Sequence, residues 1–235
     1  MTVIGVSVML GARAVLWADT EMMWHNGSSA GHCNKVTVNV AARMACASAG
    51  WAEMGIAAKA VASSTATFDQ ALDEMPDALR ITAARYVRRG RVGSDPREYA
   101  DQVTIVVGWS ERYGCMTAFE FAGSAFFAPV ITSFATHPSV PDIRALCSIG
   151  EVVSVAHAQM RELRSDHPDL GGGRLCVAVL ERHQVISGVP YDLTNDIGDG
   201  ACCLAEGGGS IRQNPCSAAA LGAAASDRNS EAASA

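Results

Sequence analysis

The sequence predicts an α+β domain of antiparallel sheets with helices packed on them. Three observations point there. Two β-branched runs, Val3–Leu10 and Ala14–Asp19, are separated only by the turn Gly11-Ala12-Arg13, which is hairpin spacing. Longer stretches with helical spacing fall between groups of strands rather than after each strand. The resulting order, strands, two helices, strands, helix, strands, departs from the strict β-α-β alternation of a doubly wound parallel sheet. A four-layer αββα sandwich, with helices outside and two antiparallel sheets inside, is one solution of this kind, and the pattern alone does not single it out.

The elements follow in order. After the first hairpin, polar and glycine-containing residues from Trp24 to Gly31 read as a loop, and Lys35–Val40 and Met44–Ala49 as short strands. Gly50 ends the strand run. Trp51–Ser64 has helical character, with Met54, Ile56, Ala57, Ala60 and Val61 available for one face. A second helix is expected from Thr67-Phe68-Asp69 to about Arg89, with Pro76 marking either its start or a kink. The nearby arginines Arg85, Arg88, Arg89 and Arg91 read as a solvated face and C-terminal turn. Gly93–Pro96 is a break. Val103–Trp109 and Met116–Phe121 are strands, and 124–134 is apolar without a clear period. Glu151–Leu163 reads as a helix, Asp166–Gly173 as a loop, and Leu175–Leu180 as a buried strand with Gln184-Val185-Ile186 returning beside it. One folded domain is expected over 1–195. Beyond it, 206–235 is Ala, Ser, Gly and Asn with no spaced set of large apolar residues, the composition of a disordered tail.

Composition narrows the function. The chain has 235 residues, 49% hydrophobic and 18% charged, with net charge −6. This argues against a nucleic-acid module, which carries a basic face. It holds no run of roughly 18 apolar residues, so no membrane-spanning helix is expected. The apolar start, Met1–Leu10, lacks a basic lead-in and is soon followed by Arg13, so a secretory signal is not expected and a cytoplasmic location is. The 8 cysteines include no C-x-x-C pair and none with a histidine at zinc-finger spacing. They read as reduced, small apolar residues. No metal or cofactor is expected, and the scattered histidines read as non-catalytic.

Thr2, Asp19, Lys35 and Gly50 form a constellation. Each is ordinary alone: a strand-end aspartate, a surface lysine, a turn glycine. Together they match one chemistry. A threonine hydroxyl needs a base beside it to act as a nucleophile. If Met1 is removed, as a small following residue permits, Thr2 carries a free α-amine. Such an amine titrates at about 7.7–8.0 and can take the hydroxyl proton. A lysine ammonium favours the neutral amine and stabilises a developing alkoxide, an aspartate holds the lysine, and a glycine N–H can donate to an oxyanion.

Those residues carry a family resemblance. Thr2-Val3-Ile4, Val6-Ser7-Val8, Ala18-Asp19, Asn34-Lys35-Val36 and Ala49-Gly50, then Val107-Gly108-Trp109 and Gly172-Gly173 before Leu175–Leu180, resemble the proteasome β-type subunits. The bacterial members without a propeptide are the most similar. The resemblance runs from about Thr2 to Gln184, and the sixteen-residue step from Asp19 to Lys35 is the family's. It implies the four-layer αββα N-terminal-nucleophile (Ntn) hydrolase fold, assembly of identical subunits into stacked rings, and threonine peptidase activity on unfolded polypeptide. An ATP-dependent unfoldase is then a candidate partner. It implies Thr2 as nucleophile, Lys35 and Asp19 as its activating pair and Gly50 as oxyanion donor. Ser148 and Asp169 are candidates for supporting roles. Three departures stand out. Counting back without gaps from Asp19 puts the nucleophile position on Val3, so one residue must be absorbed, and Gly5 is expected to mark a bulge. The family's serine before the double glycine reads Gly171, and its aspartate position falls on Pro168, between Asp166 and Asp169. Cys147 replaces the usual glycine beside Ser148. A catalytically impaired ring subunit and an Ntn small-amide hydrolase are the alternatives. The low charged fraction suits a subunit packed on several sides.

Overall fold

A computed structural model of the chain describes residues 2–23, 29–90, 99–140, 146, 149–166, 173–187 and 191–193. These belong to the first of two units, Met1–Cys203, the second being Leu204–Ala235. The 206–235 tail, Ser148 and Asp169 lie outside the described residues. In chain order the strands and helices are β1 (Ile4–Met9), β2 (Arg13–Asp19), β3 (Glu21–Met23), β4 (Ser29–His32), β5 (Thr37–Asn39), β6 (Met44–Ala49), α1 (Ala52–Ser64) and α2 (Phe68–Arg88). There follow β7 (Val103–Ser110), β8 (Cys115–Ala122), β9 (Pro129–Thr132), β10 (Phe134–His137), α3 (Ile149–Asp166), β11 (Arg174–Glu181), β12 (Gln184–Ser187) and β13 (Tyr191–Asp192).

The chain is α+β, and every strand pair is antiparallel. One sheet runs β10-β1-β2-β11-β12, with β13 also on β11; a second runs β5-β6-β7-β8-β9; β3 and β4 pair alone. Side-chain alternation divides the apolar residues among three clusters. Leu16 and Ala18 of β2 meet Ala45, Ala47, Ile105 and Val107 of the five-stranded sheet. Val15 and Trp17 point the other way, toward Val152, Ala156 and Met160 of α3. Met44, Cys46 and Val106 face α1 and α2 through Met54, Phe68, Leu72 and Met75. Two helices, a sheet, a second sheet and a helix thus succeed one another, an arrangement compatible with a sandwich. No helix among the described residues is long and apolar enough to cross a membrane.

Two contacts between the sheets set the direction in which they face each other, and an ion pair within the first sheet ties them to the start of β2. Arg13 pairs with Glu181 at 3.0 Å, Arg43 Nη1 donates to the Arg182 carbonyl at 3.4 Å, and Met116 N donates to the Gly11 carbonyl at 2.7 Å. The starts of β2 and β6 therefore share one end of the two-sheet stack. Their far ends, Asp19 and Gly50, share the other.

Several sequence expectations change. The β1–β2 register runs unbroken from Ile4 opposite Ala18 to Met9 opposite Arg13, so there is no bulge at Gly5. That glycine makes room for an indole: a Cβ there would lie 2.2 Å from Trp17 Cζ2. Helix α2 starts at its Thr67 cap, whose hydroxyl accepts from Gln70 N at 3.1 Å, and continues through a buried Pro76, which is therefore not its start. Of the loop expected at Trp24–Gly31, Ser29–Gly31 belong instead to β4, and 24–28 lie outside the described residues; the apolar stretch 124–134 resolves into a 3-10 turn, β9 and the start of β10.

Gln159 on α3, fully buried, pins the first hairpin. Its Oε1 accepts from Trp17 Nε1 at 2.9 Å, and its Nε2 donates to the Ile4 carbonyl at 2.9 Å and the Pro138 carbonyl at 3.2 Å. Replacing it by leucine strands the buried indole N–H and removes a donor from two carbonyls. Gln159→Leu is expected to lose about 2–3 kcal/mol of stability in urea unfolding; an unchanged midpoint would contradict this anchoring.

Candidate active site

Antiparallel pairing continues one step past β1. Asp19 N donates to the Val3 carbonyl at 3.0 Å, so Val3 sits opposite Asp19 and Thr2 lies one residue beyond. The Asp19 carboxylate is held by main chain on both oxygens: Oδ1 accepts from Val3 N at 2.9 Å and Oδ2 from Glu21 N at 3.1 Å. It is only 2% exposed.

Lys35 enters from the segment after β4. Cys33 N donates to the Thr20 carbonyl at 2.8 Å, and Asn34 Oδ1 accepts from Val36 N at 2.9 Å, which fixes the chain on either side of the lysine. Its side chain, 11% exposed, brings Nζ to Asp19 Oδ1 at 3.0 Å and Oδ2 at 3.1 Å. Nζ also donates to the Glu21 carbonyl and to Thr2 Oγ1, the latter at 2.9 Å. An ammonium has three N–H donors, and here three residues share them. Because Thr2 Oγ1 accepts from the cation, its own proton is left to a different base.

Thr2, Asp19 and Lys35 are therefore brought together. Gly50 is at the same end of the two-sheet stack, with φ +105° at the close of β6. Among the described residues no hydrogen bond joins it to the other three. The Glu21 carbonyl is part of the site and went unnoticed in the sequence. A main-chain acceptor carries no residue-type signal, and only its position two residues after Asp19 hints at it. Met54, on the first turn of α1, is buried in the core between the helices and the five-stranded sheet.

Burial pushes the Asp19 carboxyl above its ordinary value of 3.8, with the Lys35 ammonium and the amides of Val3 and Glu21 opposing. The cysteines Cys33, Cys46, Cys115 and Cys176 are free thiols. Burial raises Cys46 to about 12, and Cys176 is raised by burial and by the nearby Asp19 charge. Cys33, by contrast, is exposed. No protein-family model matches the chain, and no curated protein is significantly similar to it.

A raised carboxyl binds its proton more tightly in the folded state than in the unfolded one. Its stabilising contribution is full below 3.8 and is lost as pH rises through the folded value. Wild type is thus expected to lose stability relative to Asp19→Asn as pH climbs from about 3.8, read by urea unfolding at a series of pH values. A relative gain over that window would show instead that Lys35 and the two amides outweigh burial.

Proposed function

We propose that the chain is a threonine peptidase of the proteasome β type, an Ntn hydrolase cleaving unfolded polypeptide within a ring of identical subunits. The observation that carries this reading is the 2.9 Å contact from Lys35 Nζ to Thr2 Oγ1, with Lys35 paired to buried Asp19. The succession of two helices, two facing sheets and a helix supports the four-layer αββα fold. The chemistry proceeds from those atoms. With Met1 removed, the Thr2 α-amine takes the hydroxyl proton as Oγ1 attacks the peptide carbonyl carbon. The Lys35 ammonium stabilises the oxygen through the attack, and Asp19 and the Glu21 carbonyl hold the ammonium in place. The Gly50 N–H is the donor to the carbonyl oxygen as it becomes an oxyanion. The C–N bond then breaks, the proton passes from the α-amine to the leaving amine, and an ester on Thr2 remains. Water hydrolyses that ester.

One observation favours a second reading, a ring subunit of the same fold without catalysis: Val3, not Thr2, lies opposite Asp19. The two separate in one experiment. The purified chain is sequenced from its N-terminus and assayed on fluorogenic peptides and an unfolded protein, beside Thr2→Ala and Lys35→Met. The peptidase reading expects a Thr2 N-terminus and a loss of about a thousandfold or more in kcat/KM for both variants. It also expects the acid limb of the pH–rate profile to lie above 3.8, because the Asp19 carboxylate that holds Lys35 forms only above its raised value. A retained Met1, with wild type no more active than Thr2→Ala, would establish the non-catalytic reading.

A further inference from the structure

From the packing around Gly50 we infer that Gln102 is a positioning residue: it clamps the Gly50–Trp51 turn so that the Gly50 N–H stays aimed at the oxyanion. This rests on the peptidase reading above. Gly50 has φ +105°, a conformation that L side chains rarely adopt, and something must hold the turn there. The Gln102 carboxamide occupies the space where a Gly50 side chain would start. A Cβ on Gly50 would lie 2.1 Å from Gln102 Oε1, 2.5 Å from Cδ and 2.7 Å from Nε2.

The same oxygen accepts from Trp51 N at 2.5 Å. Of the two amides in the turn, Trp51's is thus spoken for. Among the described residues no hydrogen bond takes up Gly50's. Gln102 is itself rigid. It is 4% exposed, its N donates to the Tyr99 carbonyl at 3.0 Å, and its carbonyl accepts from Gly123 N at 2.8 Å. On the far side of the turn, the Trp51 ring stacks on Tyr86 with centroids 4.2 Å apart and meets the edge of Tyr99 at 6.4 Å. The peptide between Gly50 and Trp51 is therefore gripped by a buried carboxamide and by an aromatic stack at the entrance to α1.

The donor N–H itself belongs to the preceding Ala49–Gly50 peptide, and its direction depends on the Gly50 φ of +105° that the carboxamide against Gly50 and the held Trp51 amide maintain. A side chain of the same length without the acceptor oxygen lets that φ relax. Misplacing a catalytic donor by about 1 Å costs up to a hundredfold in rate while leaving substrate contacts largely intact. The test uses the full chain on a fluorogenic peptide. Gln102→Met is expected to lower kcat by about 10- to 100-fold with KM within about twofold, and to speed hydrogen exchange at the Trp51 amide. Gln102→Glu keeps the acceptor oxygen and is expected to restore slow Trp51 exchange and most of kcat. If Gln102→Met does not fold, Gln102→Asn, one methylene too short to reach, takes its place with the same expected selective loss. An active wild type with kcat unchanged in these variants overturns the role of Gln102 alone, as does equal loss in Gln102→Glu and Gln102→Met. A wild type with neither activity nor a free Thr2 N-terminus overturns the reading of the site, and this inference with it.

Discussion

A lysine ammonium that is nearly out of water is the constraint around which the candidate site is built. A cation in that position needs acceptors for its donors, because an unpaired buried charge costs several kcal/mol. The acceptors come from two chain segments: Thr2 before β1, and Asp19 at the end of β2 with the Glu21 carbonyl just beyond. Each is placed by backbone pairing. Asp19 faces Val3 through the β1–β2 ladder, and the Asp19 carboxylate spends its remaining capacity on the amides of Val3 and Glu21. Moving any one strand by a residue would leave the cation short of a partner.

The scaffold keeps that register by close packing. The layer between the sheets is rich in alanine, with Ala14, Ala18, Ala45, Ala47, Ala49, Ala118 and Ala178 buried there. Small residues let the two sheets approach, and larger ones such as Leu16, Ile105 and Met116 interlock between them. On the other face, Trp17 covers Gly5 and is tied by Gln159 to α3, so the first hairpin is held from both sides. The site inherits this rigidity, since Thr2 lies two residues before Ile4, whose carbonyl Gln159 also binds.

The first hairpin, the three helices and their places among the strands along the chain were legible because apolar periodicity and turn residues mark them directly; the strand order within each sheet was not. Asp19 and Lys35 were expected as a pair because the family resemblance carries their sixteen-residue step, and the fold brings both together with Thr2. Gly5 was misread. A glycine within a strand signals either a bulge or the close approach of a ring, and only coordinates reveal the Trp17 indole twelve residues later. The β3–β4 pair was missed because its strands are short and sit among polar residues with no alternation. Glu21, Gln102 and Gln159 act through a carbonyl or a buried carboxamide, groups whose partners lie far off in sequence and leave no local pattern. Ser148 and Asp169 lie outside the described residues, so their supporting roles rest on the resemblance alone.

Whether Lys35 activates Thr2 is read most directly by peptide-mapping mass spectrometry of the full chain after exposure to a threonine-directed covalent electrophile. A single adduct on a peptide that begins at Thr2, absent from Lys35→Met, is the expected result. An unmodified Thr2 still preceded by Met1, or an adduct confined to the exposed Cys33 thiol, would contradict it.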